Sequence, residues 1–289
     1  MARRFITSIA ILALACSSHP KPEAQPTPTN PTAPPPPPPP AAAKSEVVRF
    51  GPSALRYVSH QVVHVSQEMQ GRTQASDFGL RSFFRVTITG PADSSGYATT
   101  VTVDSIVPDS GSTLPPGLNL SAAKGLSIAG RLSTSGAFRN AAATDTTAPA
   151  QLTAQILSSF RNFFPHLPSG GATVGATWTD TLTATELGSV TATIISQNHA
   201  AAWEQHNGVR CLRIDVTSNT TIQGSGQQFG QSFDISGKGQ RSGVDYVAVD
   251  GRFMGGEAHD STTSTISLPM QGLTIPRTQV SRSTVTVLP

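Results

Sequence analysis

Leu212-Arg213-Ile214-Asp215-Val216 alternates apolar and charged residues, so a backbone with a two-residue side-chain period puts Leu212, Ile214 and Val216 on one face and both charges on the other. The same alternation recurs in Arg85-Val86-Thr87-Ile88-Thr89, in the run from Thr99 to Val103, and in Thr284-Val285-Thr286-Val287. Turn-forming pairs separate the runs: Gly90-Pro91, Asp109-Ser110-Gly111, Asn207-Gly208, Asp250-Gly251 and Gly255-Gly256. Thr, Ser, Val and Gly dominate and only 13% of residues are charged, a composition that favours strands joined as antiparallel hairpins. Gly224, Gly226, Gly230, Gly237, Gly239 and Gly243 fit long, strongly curved strands, because glycine relieves crowding at bends. They do not form a nucleotide loop: the G-x-G-x-x-G spacing and a following helix are both missing.

One stretch breaks the two-residue period. From Ala148 to Leu167, the residues Leu152, Ile156, Leu157, Phe160, Phe163, Phe164 and Leu167 recur mostly at spacings of three and four. This predicts an amphipathic helix over about 149–164, with Pro149 suited to its first turn and Pro165 and Pro168 ending it. A faint echo flanks it: Gly125 to Leu132 resembles Gly243 to Tyr246 followed by Asp250-Gly251-Arg252-Phe253, each turning at a Gly-Arg step. The expected fold is all-β and mainly antiparallel, a curved open barrel or half-barrel. Its two β halves, about 46–147 and 169–289, are joined by the one helix.

The front of the chain speaks of compartment. Arg3 and Arg4 precede a mostly apolar run from Phe5 to Ala15, about eleven residues and too short for a bilayer core of roughly 30 Å. Residues 1–15 therefore read as an export signal. Ala13-Leu14-Ala15-Cys16 resembles a bacterial lipobox, with small Ala15 before the cysteine, although Ala13 stands where leucine is favoured. Ala13-x-Ala15 also suits ordinary signal peptidase. Acylation of Cys16 is the expectation, and it makes the membrane the first partner. Residues 16–45 then form a proline-rich tether including seven consecutive prolines, Pro34 to Pro40, a polyproline II rod of roughly 20 Å. Residues 46–289 form the β-rich periplasmic domain.

No chemical constellation stands out. The formal charge of +3 includes Arg3 and Arg4, so the processed chain is close to neutral and offers no case for nucleic acid binding. With Cys16 assigned, Cys211 is alone and reads as a small buried hydrophobe. His60 and His64 fall on one face of a predicted strand about 13 Å apart, too far to share a metal, and are expected to be solvated or hydrogen-bonded. His199, Glu204 and His206 match no established zinc spacing. Asp109-Ser110-Gly111-Ser112 resembles an aspartic-protease loop, but a second loop is missing and Pro108 replaces the usual apolar residue before the aspartate. There is no G-x-S-x-G elbow. No catalytic residue, metal ligand or cofactor is assigned, and enzyme activity is not expected. An integral outer-membrane barrel is disfavoured by the 6% aromatic content and by the final Leu288-Pro289.

Cys16 behind a signal, the proline stalk, a β half, the helix ending Phe164-Pro165-His166-Leu167-Pro168, then Gly175-Ala176-Thr177-Trp178-Thr179-Asp180 and a glycine-punctuated meander together resemble uncharacterised bacterial envelope lipoproteins. The architecture is also similar to the open-barrel lipoprotein carriers of the Lol system. That resemblance implies a curved sheet around an apolar cavity closed by helices, with acyl chains inside, and it transfers no individual functional residue. It also implies the outer membrane, facing the periplasm, with secretion to the periplasm as the alternative. Two functions follow as expectations. In the first, Phe160, Phe163 and Phe164 line a site for a lipid or other apolar small molecule; in the second, the core is filled and the domain is structural or meets a protein partner that the sequence does not specify. An apolar cavity beside the helix larger than roughly 300 Å³ would favour the first. For the anchor, Cys16→Ser is expected to abolish globomycin-sensitive processing and release the chain from membranes on fractionation; a variant that stays membrane-bound rules acylation out.

Overall fold

The computed structural model describes residues 46–69, 71–112, 119–144, 148–186, 189–228 and 231–289, so the signal, Cys16 and the tether lie outside the described residues. Eleven strands form one sheet: β1 (Ser53–Met69), β2 (Arg72–Asp93), β3 (Gly96–Pro108), β4 (Ser127–Leu132), β5 (Phe138–Ala143), β6 (Thr177–Glu186), β7 (Val190–His206), β8 (Val209–Gln228), β9 (Gln231–Ala248), β10 (Phe253–Leu268) and β11 (Leu273–Leu288). The order is β5-β4-β3-β2-β1-β11-β10-β9-β8-β7-β6, with every neighbouring pair antiparallel. The first and last strands thus meet in the middle of the sheet, while β5 and β6, consecutive in the chain, stand at opposite edges. The connection between those edges carries helix α1 (Ala150–Arg161), the only α-helix among the described residues. The sheet is open and not closed into a barrel, as the alternation and the single helical stretch predict.

Its curl follows from who touches whom. Val86, Val101 and Ile128 on β2 to β4 share one buried cluster with Leu212, Ile214, Val247 and Phe253 on β8 to β10. In a flat sheet β3 and β9 would lie five strand spacings apart, roughly 24 Å. The short segment before β1 shows that the distance is closed: Phe50 N donates to Thr134 O beside β4, while Gly251 at the β9–β10 turn lies against the backbone of Arg49 and Phe50, so the sheet bends to bring both to one place. Glycines permit this where side chains would collide. At Gly255 φ is +96°, and an added Cβ would strike the Val285 carbonyl oxygen; at Gly237 it would meet Ser264 Cβ and Thr263 O at 2.8 Å. Within the glycine-spaced segment, Gly224, Gly237 and Gly243 likewise sit where an added Cβ would meet a neighbouring strand, and Gly230 lies outside the described residues.

The turn signals divide into two groups. Asn207-Gly208 closes a two-residue hairpin with both φ angles positive, 51° and 75°, and Asp250-Gly251 turns β9 into β10. Gly90-Pro91 and Gly255-Gly256 lie inside β2 and β10, where the register shifts, so there the breaker residues mark irregular pairing and not chain reversal. The β2–β3 reversal falls instead at Asp93 to Gly96, capped by Asp93 Oδ1 accepting from Ser95 N at 2.8 Å. The two Gly-Arg steps of the sequence echo are not equivalent either. Gly130-Arg131 sits at a register shift within β4, whereas Gly251-Arg252 belongs to a turn. Gly255→Ala is expected to lower unfolding stability by roughly 2 kcal/mol or more in urea titration, since the new Cβ meets backbone at a positive φ; an unchanged midpoint would show that the bulge relaxes freely.

Candidate functional site

The helix lies where the periodicity places it, but it stops at Arg161 and is capped by Asn162, before the last phenylalanines. Residues preceding proline avoid helical backbone, and Pro165 follows Phe164 directly. Phe163 and Phe164 therefore project from the chain leaving the helix, while Leu152, Ile156 and Phe160 are the buried face of the helix itself.

The three predicted phenylalanines do come together, and they meet other rings. Phe163 sits at the centre of edge-to-face contacts with Tyr57, Phe84, Phe160, Phe164 and Phe253, at centroid distances of 4.9–5.8 Å. Phe50 packs on Phe164 at 5.5 Å and Phe84 on Phe160 at 4.8 Å. Each such pair is worth about 0.5–1.5 kcal/mol beyond its buried area. Phe160 and Phe164 are 6% and 3% exposed, so these rings fill the space beside the helix. Tyr57 is buried with them; its hydroxyl donates to the Phe253 carbonyl at 2.8 Å, and desolvation pushes the phenol well above its ordinary range.

Polar clasps hold this plug across the open edge. Leu167 N donates to Ser135 O at 2.7 Å, tying the connection to the N-terminal half. Trp178 Nε1 donates to His166 O at 2.8 Å, and His166 Nδ1 meets Asp180 Oδ2 at 2.7 Å, tying it to β6. Trp178 thus anchors the connection to the start of the second half. Val48 and Ala172 exchange backbone bonds of 2.8 and 2.9 Å, and Arg49 donates twice to Gly170 O.

Farther along the same inner face lies a polar belt. Ser218, Arg241, Asp260 and Ser281 are consecutive cross-strand partners on β8 to β11, and Ser281 Oγ donates to Asp260 Oδ2 at 3.1 Å. Beyond it Val190, Ile222, Phe233, Ile235, Ile266, Leu268 and Ile275 make a second apolar cluster. Asp245, partly accessible and opposite Gly256, has its carboxyl pushed up to about 6 by desolvation, against the pull of Arg241. Burial also lowers the Arg277 guanidinium to about 10.

The outer face offers two grooves. One, of about 710 Å³, crosses six strands, and a row in strict register lines it: Ser66, Thr278, Thr263, Lys238 and Thr221. Thr265, Ser236 and Gln223 make a second row two residues along each strand. The other groove, of about 600 Å³, lies over Thr177, Thr179, Gln197, His199, Asp215 and Thr217 on β6 to β8. Neither groove borders the phenylalanines. Sequence reasoning missed both; the available signal was the polar alternate position itself, as in Ser236-x-Lys238 and Thr263-x-Thr265.

The remaining candidates resolve into surface pairs. His60 Nε2 and Arg81 Nε contact the Asp109 carboxylate at 2.6 and 3.1 Å, and His64 Nδ1 meets Asp77 at 2.7 Å. Asp109 reaches His60 because Gly79 leaves its place empty; a Cβ there would meet the carboxylate. His206 stacks on Tyr246 at 3.9 Å, its pKa lowered by desolvation, while Glu204 and Asp215 bracket Arg213. Among the described residues no three His, Cys, Asp or Glu side chains converge in a way that could hold a metal ion. Cys211 is buried, and burial pushes its thiol up to about 11.

No family model matches the chain, and no curated protein matches it. Among solved structures it is similar to a DUF1329 family protein from Desulfovibrio piger, at 9% identity over 81% of this chain and 86% of that one, with a TM-score of 0.15. A superposition that loose is a weak architectural likeness and carries no argument.

The raised Asp245 carboxyl makes stability depend on pH. Its folded pKa lies above the unfolded value, so ionisation opposes folding and stability rises as pH falls from about 6 towards 4. Asp245→Asn is expected to exceed the native chain in stability at pH 7, by up to roughly 3 kcal/mol, with the gap shrinking at pH 4.5 in urea titrations. A gap independent of pH would refute this.

Proposed function

We propose that the chain is a cell-envelope lipoprotein, tethered through acylated Cys16, whose non-enzymatic β domain works by what its outer face presents and not by what it encloses. The observation that carries this reading is the aromatic plug: Phe160, Phe163 and Phe164, with Phe50, Tyr57, Phe84 and Phe253, occupy the place where an apolar ligand would sit. An apolar pocket of ligand size needs roughly 300 Å³ or more, and the two grooves described above, each larger than that, lie away from the phenylalanines and are lined mainly by Ser, Thr, Gln and charged residues. The export signal and lipobox-like Ala13-Leu14-Ala15-Cys16 support the placement.

A second reading keeps a specific observation in its favour. α1 lies in the connection between two unjoined sheet edges, packed on β5, and has no side-chain cap at Pro149, so lipid carriage with the plug as a displaceable lid fits the same architecture. Mass spectrometry of lipid extracted from the purified chain separates the two. The scaffold reading expects no stoichiometric lipid and no saturable binding of a fluorescent fatty acid. It also expects Phe164→Ala to cost about 3–5 kcal/mol of stability without creating lipid affinity. Stoichiometric lipid, or fatty-acid binding lost in Phe160→Asp and Phe164→Asp variants that still fold, overturns it in favour of carriage.

A further inference from the structure

We propose that the larger outer groove is a glycan-binding face whose occupant is a strand of cell-wall polymer, a β-linked chain of N-acetylated amino sugars bearing scattered carboxylates. The inference rests on the scaffold reading and deepens it by naming the partner.

Chemistry selects the class. The row Ser66, Thr278, Thr263, Lys238 and Thr221 presents four hydroxyls and one ammonium, with Thr265, Ser236 and Gln223 beside it. Hydroxyl and amide groups both donate and accept, which matches a polyhydroxylated, amide-bearing ligand. These side chains make no hydrogen bonds within the described residues. On the same outer surface His60, Arg81, Asp109 and Arg213 are already engaged in pairs. Apolar surface in the groove comes from Pro276, the edge of Ile222 and the threonine methyls, interleaved with the hydroxyl rows as the faces and edges of a sugar ring require, and a polyanion would find too few cations, because Lys238 and the mostly buried Arg277 are accompanied by Glu68. A carboxylate on the sugar chain has Lys238 to meet, and an amine has Glu68.

Geometry selects a polymer. The groove runs from β2 to β8 across six strands, five spacings or roughly 24 Å, longer than one sugar needs. The chain length ahead of the domain selects the source. Thirty residues, 16–45, separate the expected anchor from the domain, and a proline-rich segment of that length can reach up to roughly 90 Å from the membrane surface. A domain held that far out reaches a wall polymer, and a partner in the anchoring leaflet needs no such reach.

The test is co-sedimentation of the full-length Cys16→Ser chain with purified peptidoglycan sacculi in 0.3 M NaCl, where non-specific charge attraction is screened. Saturable pelleting is expected, reduced about tenfold in Thr221→Ala/Lys238→Ala/Thr263→Ala and unchanged in Arg56→Ala/Arg85→Ala, two exposed arginines that flank Asp104 outside the groove, with circular dichroism showing both variants folded. Failure to pellet, equal pelleting of the triple variant, or binding only to lipopolysaccharide micelles overturns the glycan assignment. If the chain extracted beforehand carries stoichiometric lipid, the scaffold reading itself fails; if it is lipid-free and does not pellet, only the glycan assignment does.

Discussion

The pairing of β1 with β11 is the constraint on which the rest of the molecule depends. Twelve residues of β1, from Arg56 to Gln67, find antiparallel partners on β11, and this seam holds the two halves in one sheet. Because the chain's outer strands are used up in the middle, its central strands become the edges. An open curled sheet then has one unsealed flank, and the β5–β6 connection is the part of the chain at hand to cover it. The helix, the ring cluster and the clasps at Ser135, Trp178 and Asp180 follow from that one pairing.

The inner face shows how a curled sheet of this length solves its packing. Near the helix it buries rings; at the far end it buries mostly aliphatic side chains; between them it buries Ser218, Asp260 and Ser281, with half-buried Arg241 among them. Burying charge is expensive unless partners are close, and the register provides them strand by strand. A strand slipped by one residue would bring the solvent-facing threonines inside and expose the isoleucines, so the belt and the flanking clusters reinforce one alignment.

Much of this was legible in the residues. Alternation at Leu212 to Val216 and Thr284 to Val287 marked strands correctly, because a half-buried sheet face demands that period. The period of three and four from Leu152 to Phe160 marked the helix. What escaped was whatever depends on partners distant in sequence. Gly255-Gly256 has the composition of a turn, yet β11 continues past it and holds it in the sheet, while Gly90-Pro91 falls in the unpaired gap between Thr89 and Asp93 just before the β2–β3 reversal. Phe163 and Phe164 fit the helical period, but Pro165 removed them from the helix while leaving their rings in the cluster. The outer grooves were invisible because their lining is ordinary polar alternation, and only the curl and cross-strand alignment gather it into a surface. The signal, Cys16 and the tether are readings of sequence alone.

The central seam also sets an order of events. Synthesis from the N-terminus delivers β1 first and β11 last, so β1 lacks its second neighbour until nearly the whole domain has been made. Until then two half-sheets, β1 to β5 and β6 to β10, each carry a raw flank that will later be joined. In that interval the unpaired flanks are open to any other strand, and Leu273–Leu288 is the segment whose arrival ends it.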